Sequence, residues 1–342
     1  MNVLNNRFYD ILLKMENTME RLYPLRLQGV TKSPIWSGTR LLNPHWNKSA
    51  NTATAGESWE LCVRREEMCR VQNGALAGKP LGELIDTYGK ELTGADYTSQ
   101  SFPLLIKLLD AGDTLSVQVH PDDAYAAEVE NDRGKTEMWY IIEADEGAEL
   151  ICGLAEGLTA KDLAKAVSDG NIEAALHHQP IRPGEVYFIP AGFAHAIGKG
   201  ILLAEIQQNC DLTYRVYDFE RRQPDGSLRE LHVKKALDVI RPFSTEEIDA
   251  IRYSRTGGRA PSEEVLADCE YFRVEKLEPK GESMTVPQGS RMRHLLCIEG
   301  NGVLLCDGAR YEVKKGDSWL LPACLADVTL AGEAKLLLTV AR

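Results

Sequence analysis

The run Leu115-Ser116-Val117-Gln118-Val119-His120 constrains the fold more than any other segment, because strand side chains alternate between two faces. Alternation sets Leu115, Val117 and Val119 on one side and Ser116, Gln118 and His120 on the other. Hydroxyl, amide and imidazole together are costly to bury unless each finds a partner. A metal ion is the partner that suits the last two. Much later in the chain, Pro190-Ala191-Gly192-Phe193-Ala194-His195 offers a second imidazole just beyond a turn.

Short β-rich segments punctuated by Gly, Pro and Asp surround these two runs: Pro24 to Gln28, Ser58 to Arg64, Leu104 to Leu109, Glu137 to Glu143, Ala148 to Cys152 and Glu185 to Ile189. Many short strands with regular turns predict a sandwich or barrel. One helical island is expected between them, over Thr159 to Ser168 and Ile172 to His177, opened by a Thr-x-x-Asp cap. His232 to Ile240 reads as a further helix, and the polar stretch 242–261 as a linker. Strands then resume at Tyr271 to Glu275, His294 to Glu299, Gly302 to Cys306, Ala309 to Val313, Ser318 to Leu321 and Ala334 to Val340. The expectation is an N-terminal extension over 1–22, helical with Phe8, Ile11, Leu12 and Met15 on one face, a first β unit over 23–241 and a second over 242–342.

A net charge of -12 over 342 residues argues against a nucleic-acid partner, which is held mainly by clustered Lys and Arg. Cations focused in one cleft can still bind a small phosphate on an acidic surface. No stretch approaches the roughly 20 apolar residues of a membrane span, and residues 1–20 lack the apolar core of a secretory signal. The eight cysteines are scattered with no Cys-x-x-Cys pair, which points to neither a zinc ribbon nor a disulfide framework and is consistent with a reducing cytoplasm.

The spacing Gly184, Pro190, Gly192, His195 is the second signature of the cupin superfamily, with Lys199 where cupins usually carry Asn. Gly112 followed by Gln118-x-His120 is the first signature in altered form. Together with Trp36-Ser37-Gly38, Glu57-Ser58-Trp59-Glu60, Gly134-Lys135-Thr136-Glu137 and Tyr214-Arg215-Val216-Tyr217-Asp218, these runs resemble the type I, zinc-dependent mannose-6-phosphate isomerases in their compact bacterial form. The resemblance implies two cupin barrels with a small helical insertion at about 157–179, and one Zn²⁺ held by Gln118, His120, Glu137 and His195. Two imidazoles, a carboxylate and an amide oxygen suit Zn²⁺, with Fe²⁺, Mn²⁺ or Co²⁺ as replacements.

It further implies interconversion of mannose 6-phosphate and fructose 6-phosphate through an enediolate stabilised by the metal. Arg215 shares a strand face with Thr213 and Tyr217 and keeps its charge at neutral pH, so it is expected to stabilise developing negative charge rather than act as a base. Lys135 is expected at the site edge, either moving a proton with its pKa lowered by nearby Zn²⁺ and Arg or holding a substrate oxygen. Lys107 and Ser116 match positions that line the sugar-phosphate pocket. In the second unit Gly316 and Pro322 repeat the spacing, but Asp327 stands where the first has His195, which predicts a barrel without a metal. His177, His178 and His294 are expected to be structural or at the surface. A monomer or weak homo-oligomer in the cytoplasm is expected. Two other readings remain open on these residues: a cupin non-haem iron oxygenase, and a metal-dependent sugar-binding protein without activity.

Overall fold

The computed structural model describes residues 19–243, 246–248 and 263–342. The expected N-terminal helix and most of the expected linker lie outside the described residues. The rest is mainly β, with two barrels and a small helical insertion, as the sequence predicts.

The first barrel closes a six-stranded sheet over a five-stranded one. The six-stranded sheet runs in the order Val186–Ile189, Glu137–Ala144, Ile201–Gln208, Leu104–Ala111, Glu57–Leu61, Val30–Lys32. The other runs Leu176–Pro180, Glu149–Leu154, His195–Ile197, Val117–Val119, Tyr214–Tyr217. Every residue of Ile201–Gln208 and Leu104–Ala111 is buried. Both faces of such strands are covered, so they read as apolar runs rather than alternations. Ile201–Gln208, as enclosed as Leu104–Ala111, escapes the sequence reading, although its neighbour is read as Leu104 to Leu109. Inside the barrel Leu109, Trp139, Ile141 and Leu203 meet Leu150, Cys152 and Ile197.

The outer face of the six-stranded sheet carries Leu104, Ile106, Met138, Leu202 and Ala204, packed on Leu25, Phe272, Leu296, Leu320 and Leu337. These belong to a seven-stranded sheet that, with the four strands Ser283–Val286, Val328–Gly332, Asn301–Cys306 and Ala309–Lys314, forms the second barrel. A single apolar layer therefore joins the units, each buried Leu in it contributing about 1.5–3 kcal/mol. Leu25–Gln28, placed by sequence position in the first unit, pairs antiparallel with Ser318–Leu321 in this seven-stranded sheet, Leu25 opposite Leu320. Its alternating Leu25 and Leu27 find the larger apolar face there.

The helical content exceeds the expected island and the further helix expected over His232 to Ile240. Leu81–Tyr88 is a helix because Leu81, Leu84, Ile85 and Tyr88 recur at helical spacing and all are buried. Asp123–Glu130 is started by Asp122, whose side chain accepts from the Tyr125 N–H. The expected insertion forms as Ala160–Ser168, with Asp162 accepting from Thr159 N at 2.8 Å. Its second half is shorter than expected: Ile172–Ala175 is one 3₁₀ turn, and Leu176–Pro180, carrying exposed His177 and His178, leaves as a strand paired with Glu149–Leu154. Val233–Val239 is helical, and its Ala236 joins Leu163 against Val117, Val119 and Tyr214 on the back of the five-stranded sheet. Leu115 departs from the alternation. The strand begins only at Val117, and Leu115 turns inward to Trp36, Leu109 and Ile197.

Candidate metal centre and active site

Strand order brings the chemistry-bearing side chains into one row. In the five-stranded sheet His195 lies opposite Gln118, and Gln118 opposite Arg215. Glu137 opens the strand Glu137–Ala144 of the facing sheet, opposite Ile189 and Gln207. The two sequence motifs are tied by their backbones, since Gly192 N donates to the carbonyl of His120 at 2.9 Å. Gly192, with φ of +83°, makes the turn that delivers His195.

His120 Nε2 lies 3.8 Å from Glu137 Oε2, and His195 Nε2 lies 3.4 Å from Glu137 Oε1. One ligand atom from each of the three residues falls within 4.8 Å of the others, and all three residues are buried. The imidazoles are aimed by their far nitrogens. His120 Nδ1 is 2.8 Å from the carbonyl of Leu212, and His195 Nδ1 is 2.8 Å from that of Phe193. A carbonyl only accepts, so each Nδ1 carries the proton and each Nε2 lone pair faces the centre. His120 Nε2 and Glu137 Oε1 are buried without a hydrogen-bond partner. Atoms of that kind are costly unless a cation takes them, and two neutral imidazoles with a carboxylate are a fitting donor set for one.

Electrostatics agree. Burial, with Lys135 adding to it, drives His120 well below its ordinary pKa and His195 down to about 4. Both rings are neutral at pH 7, the form that ligates. Burial and the Glu205 carboxylate push Glu137 up to about 8, a shift that disfavours the carboxylate and that a cation bound between it and the imidazoles would reverse. Gln118 joins the row with its amide nitrogen 3.4 Å from His195 Nε2, and a half-turn of the amide presents the oxygen instead.

Lys135 Nζ lies 2.9 Å from Glu137 Oε2 and 4.0 Å from Glu205 Oε1, while Lys107 Nζ lies 3.1 Å from Glu205 Oε2. Burial lowers both lysines, but the carboxylates outweigh it and the net shift is upward. The neighbouring carboxylates by themselves thus favour the ammonium form of Lys135, and the lowering expected from Zn²⁺ and Arg would act against them. Ser116 Oγ is 3.5 Å from Gln118 Oε1. Arg215 Nη1 donates to the Glu230 carbonyl at 2.7 Å, and its Nε is buried without a partner.

Lys107, Ser116, Gln118, Lys135 and Arg215 line one cavity of about 140 Å³, together with Glu205, Asp211 and Arg229. All eight expected site residues are therefore gathered at one place. Glu205 is the residue that sequence reasoning missed. It is a lone carboxylate in the apolar run Ile201 to Ile206, bound by Trp139 Nε1 at 3.2 Å as well as by Lys107. An isolated charge in a buried strand needs partners, and that was the available signal. A larger cavity of about 640 Å³ beside the helical insertion, with Thr159, His177 and Arg241 in its wall, contains none of these residues.

Residues 25–161 match the family described as phosphomannose isomerase type I, catalytic domain, and residues 262–341 match the mannose-6-phosphate isomerase cupin domain. Over 317 residues the chain is 37% identical to mannose-6-phosphate isomerase ManA of Bacillus subtilis (strain 168), covering 92% of this chain and 98% of that protein. The chain belongs to the type I mannose-6-phosphate isomerases. A family member from Streptococcus mutans is 36% identical over 314 residues, with 92% of this chain and 97% of the relative covered. Among solved structures, the mannose 6-phosphate isomerase from Bacillus subtilis matches with a TM-score of 0.82 at 35% identity, over 93% of this chain and 99% of that one. As in the family, the chain is built from cupin domains, and its His120, Glu137 and His195 form a metal-capable site. No helix among the described residues is long and apolar enough to cross a membrane.

Proposed function

We infer that this enzyme interconverts mannose 6-phosphate and fructose 6-phosphate at one Zn²⁺ site made by Gln118, His120, Glu137 and His195. Family membership carries the activity, and the buried, unpartnered His120 Nε2 and Glu137 Oε1 support the metal. A bound divalent cation supplies Lewis-acid stabilisation of the negative charge that builds on the sugar's first two oxygens, worth several kcal/mol. The isomerisation moves one proton from C2 to C1 and one from the C2 hydroxyl to the oxygen on C1, with no outside oxidant or reductant.

Arg215 contributes a fixed charge on the same sheet as Gln118 and in the same cavity. It orients the open-chain sugar and stabilises the enediolate. Lys135, held protonated by Glu137 and Glu205, donates to a substrate oxygen. Lys107 and Ser116 bind substrate from the cavity wall, with Glu205 fixing the Lys107 ammonium. Cys62, Cys69, Cys210, Cys269, Cys297, Cys306 and Cys324 are free thiols, which supports a reducing cytoplasm. The eight proposed site residues belong to one chain, in keeping with a monomer or weak homo-oligomer.

The decisive experiment is a coupled assay of mannose 6-phosphate conversion on the purified enzyme, before chelation, after chelation and after return of Zn²⁺. Activity is expected to vanish on chelation and to return with one metal per chain. Absence of turnover in the zinc-restored enzyme would overturn the proposal.

A further inference from the structure

The two barrels match residue for residue through their shared turn. Gly184 and Gly316 both have φ of +86°, and each is followed at the same distance by a proline, Pro190 or Pro322. In the first barrel the residue before that proline, Ile189, lies opposite Glu137. In the second the corresponding Leu321 lies opposite Arg293. A guanidinium stands where the other barrel keeps its metal-site carboxylate.

Arg293 is 2% exposed and shares its strand face with Leu295 and Cys297, which line the interior. Its Nη1 donates to the carbonyls of Val286 and Pro287 and its Nη2 to that of Leu325. None of these acceptors is a carboxylate, and Nε has no acceptor at all. Beside it opens a cavity of about 500 Å³, walled by Leu338 and Val340 and also lined by Arg273, Arg291, Arg342 and Glu275. Asp268 and Glu275 already neutralise Arg273 and Arg342, whereas the Arg291 hydrogen bond goes to the Gly94 carbonyl. Among the described residues neither Arg291 nor Arg293 makes an ion pair, Asp327 acting on Arg293 only from beyond contact distance, in a chain whose net charge is -12. The volume falls within the range of about 300–1,000 Å³ typical of small-molecule pockets.

We propose that this cavity binds a small organic oxyanion, a phosphate monoester or a carboxylate, with Arg293 and Arg291 as its donors. The planar guanidinium fork matches either oxyanion, and the buried setting strengthens the contact. Such a site is separate from the isomerase centre, whose residues all lie in the other barrel. Equilibrium dialysis of inorganic phosphate against the intact metal-loaded enzyme, alongside Arg293→Met and Arg291→Gln, tests it.

Each substitution is expected to weaken phosphate binding at least tenfold, with the KM for mannose 6-phosphate unchanged. Malonate as competitor separates the two ligand classes: displacement of phosphate extends the site to carboxylates, and no displacement restricts it to phosphate esters. Equal phosphate binding by all three proteins would overturn the proposal, as would a loss of binding that is accompanied by a raised KM. Should Arg293→Met fail to fold, the half-buried Arg291→Gln carries the same expectation alone.

Discussion

The two barrels share turn geometry and strand register yet fill their interiors in opposite ways. The first gathers Lys107, Ser116, His120, Lys135, Glu137, His195 and Glu205, all buried, on the walls of its sheets. The second fills the same space with Leu295, Cys297, Leu304, Trp319, Leu336 and Leu338. A scaffold of this kind tolerates either lining, because the backbone satisfies its own hydrogen bonds in the ladders and leaves inward positions free. Buried charge persists only where it is paired or bound to a ligand. The first barrel meets that condition through Lys107–Glu205 and Lys135–Glu137 contacts and a metal-capable trio. The comparison breaks most sharply at the matched positions His195 and Asp327. His195→Ala should remove bound metal and lower kcat/KM by about 10³-fold or more, since several kcal/mol of transition-state stabilisation go with the ion. Asp327→Ala, which loses the bond from Gln288 N and an electrostatic contact with Arg293 in the same barrel, should leave metal content and rate as they are. Metal analysis and a coupled assay on the two variants read both outcomes.

The second barrel is a structural partner of the first rather than an appendage. Leu320 is fully buried, sits opposite Leu25, and belongs to the layer that also holds Ile106, Met138 and Leu202 of the catalytic sheet. Leu320→Ala should destabilise the protein by about 2–5 kcal/mol. Loss of activity and loss of structure in urea should shift together, and an activity midpoint that stays put would separate the two units. A smaller effect is expected inside the site. Arg215→Ala should keep the metal, because Arg215 is not among the proposed ligands, and should cost roughly 10²-fold in kcat, the scale of losing one charge-stabilising donor. Metal loss in that variant would instead make Arg215 part of the ligand support.

Periodicity made the site legible where one sheet face was wet and the other dry. Gln118 and His120 alternate with Val117 and Val119, and those valines do pack on the helix layer behind. It failed where both faces are buried, as in Ile201–Gln208, whose charged marker is Glu205. Leu115 was misplaced because regular pleating starts two residues later, at Val117. The transfer of Leu25–Gln28 to the second barrel's sheet left no local trace, since a four-residue strand pairs with whichever edge the chain path brings to it. Glu137 has no periodic signature either. What selects it is the facing sheet, which no stretch of sequence contains.

The histidines carry the comparison down to the proton. In the catalytic barrel both rings keep Nδ1–H on a backbone carbonyl and turn Nε2 to the centre. His294, buried between the barrels, does the reverse. Its Nε2 lies 2.8 Å from Ser318 Oγ, which itself donates to the Glu60 carbonyl at 2.7 Å, so the serine oxygen accepts and Nε2 holds the proton. Burial, with Lys48 adding to it, lowers the His294 pKa to about 3 from an ordinary 6.5. Between those values the unfolded chain binds a proton that the native protein refuses. The stabilisation is complete above pH 6.5 and declines as pH falls toward 3, by at most about 1.4 kcal/mol per pH unit for one group. His294→Gln should flatten the pH dependence of urea-unfolding stability between pH 6 and 4 by close to one proton, with metal content and kcat at pH 7.5 unchanged. An unaltered slope would mean that the acid sensitivity belongs to other groups, and a drop in bound metal would join His294 to the catalytic barrel after all.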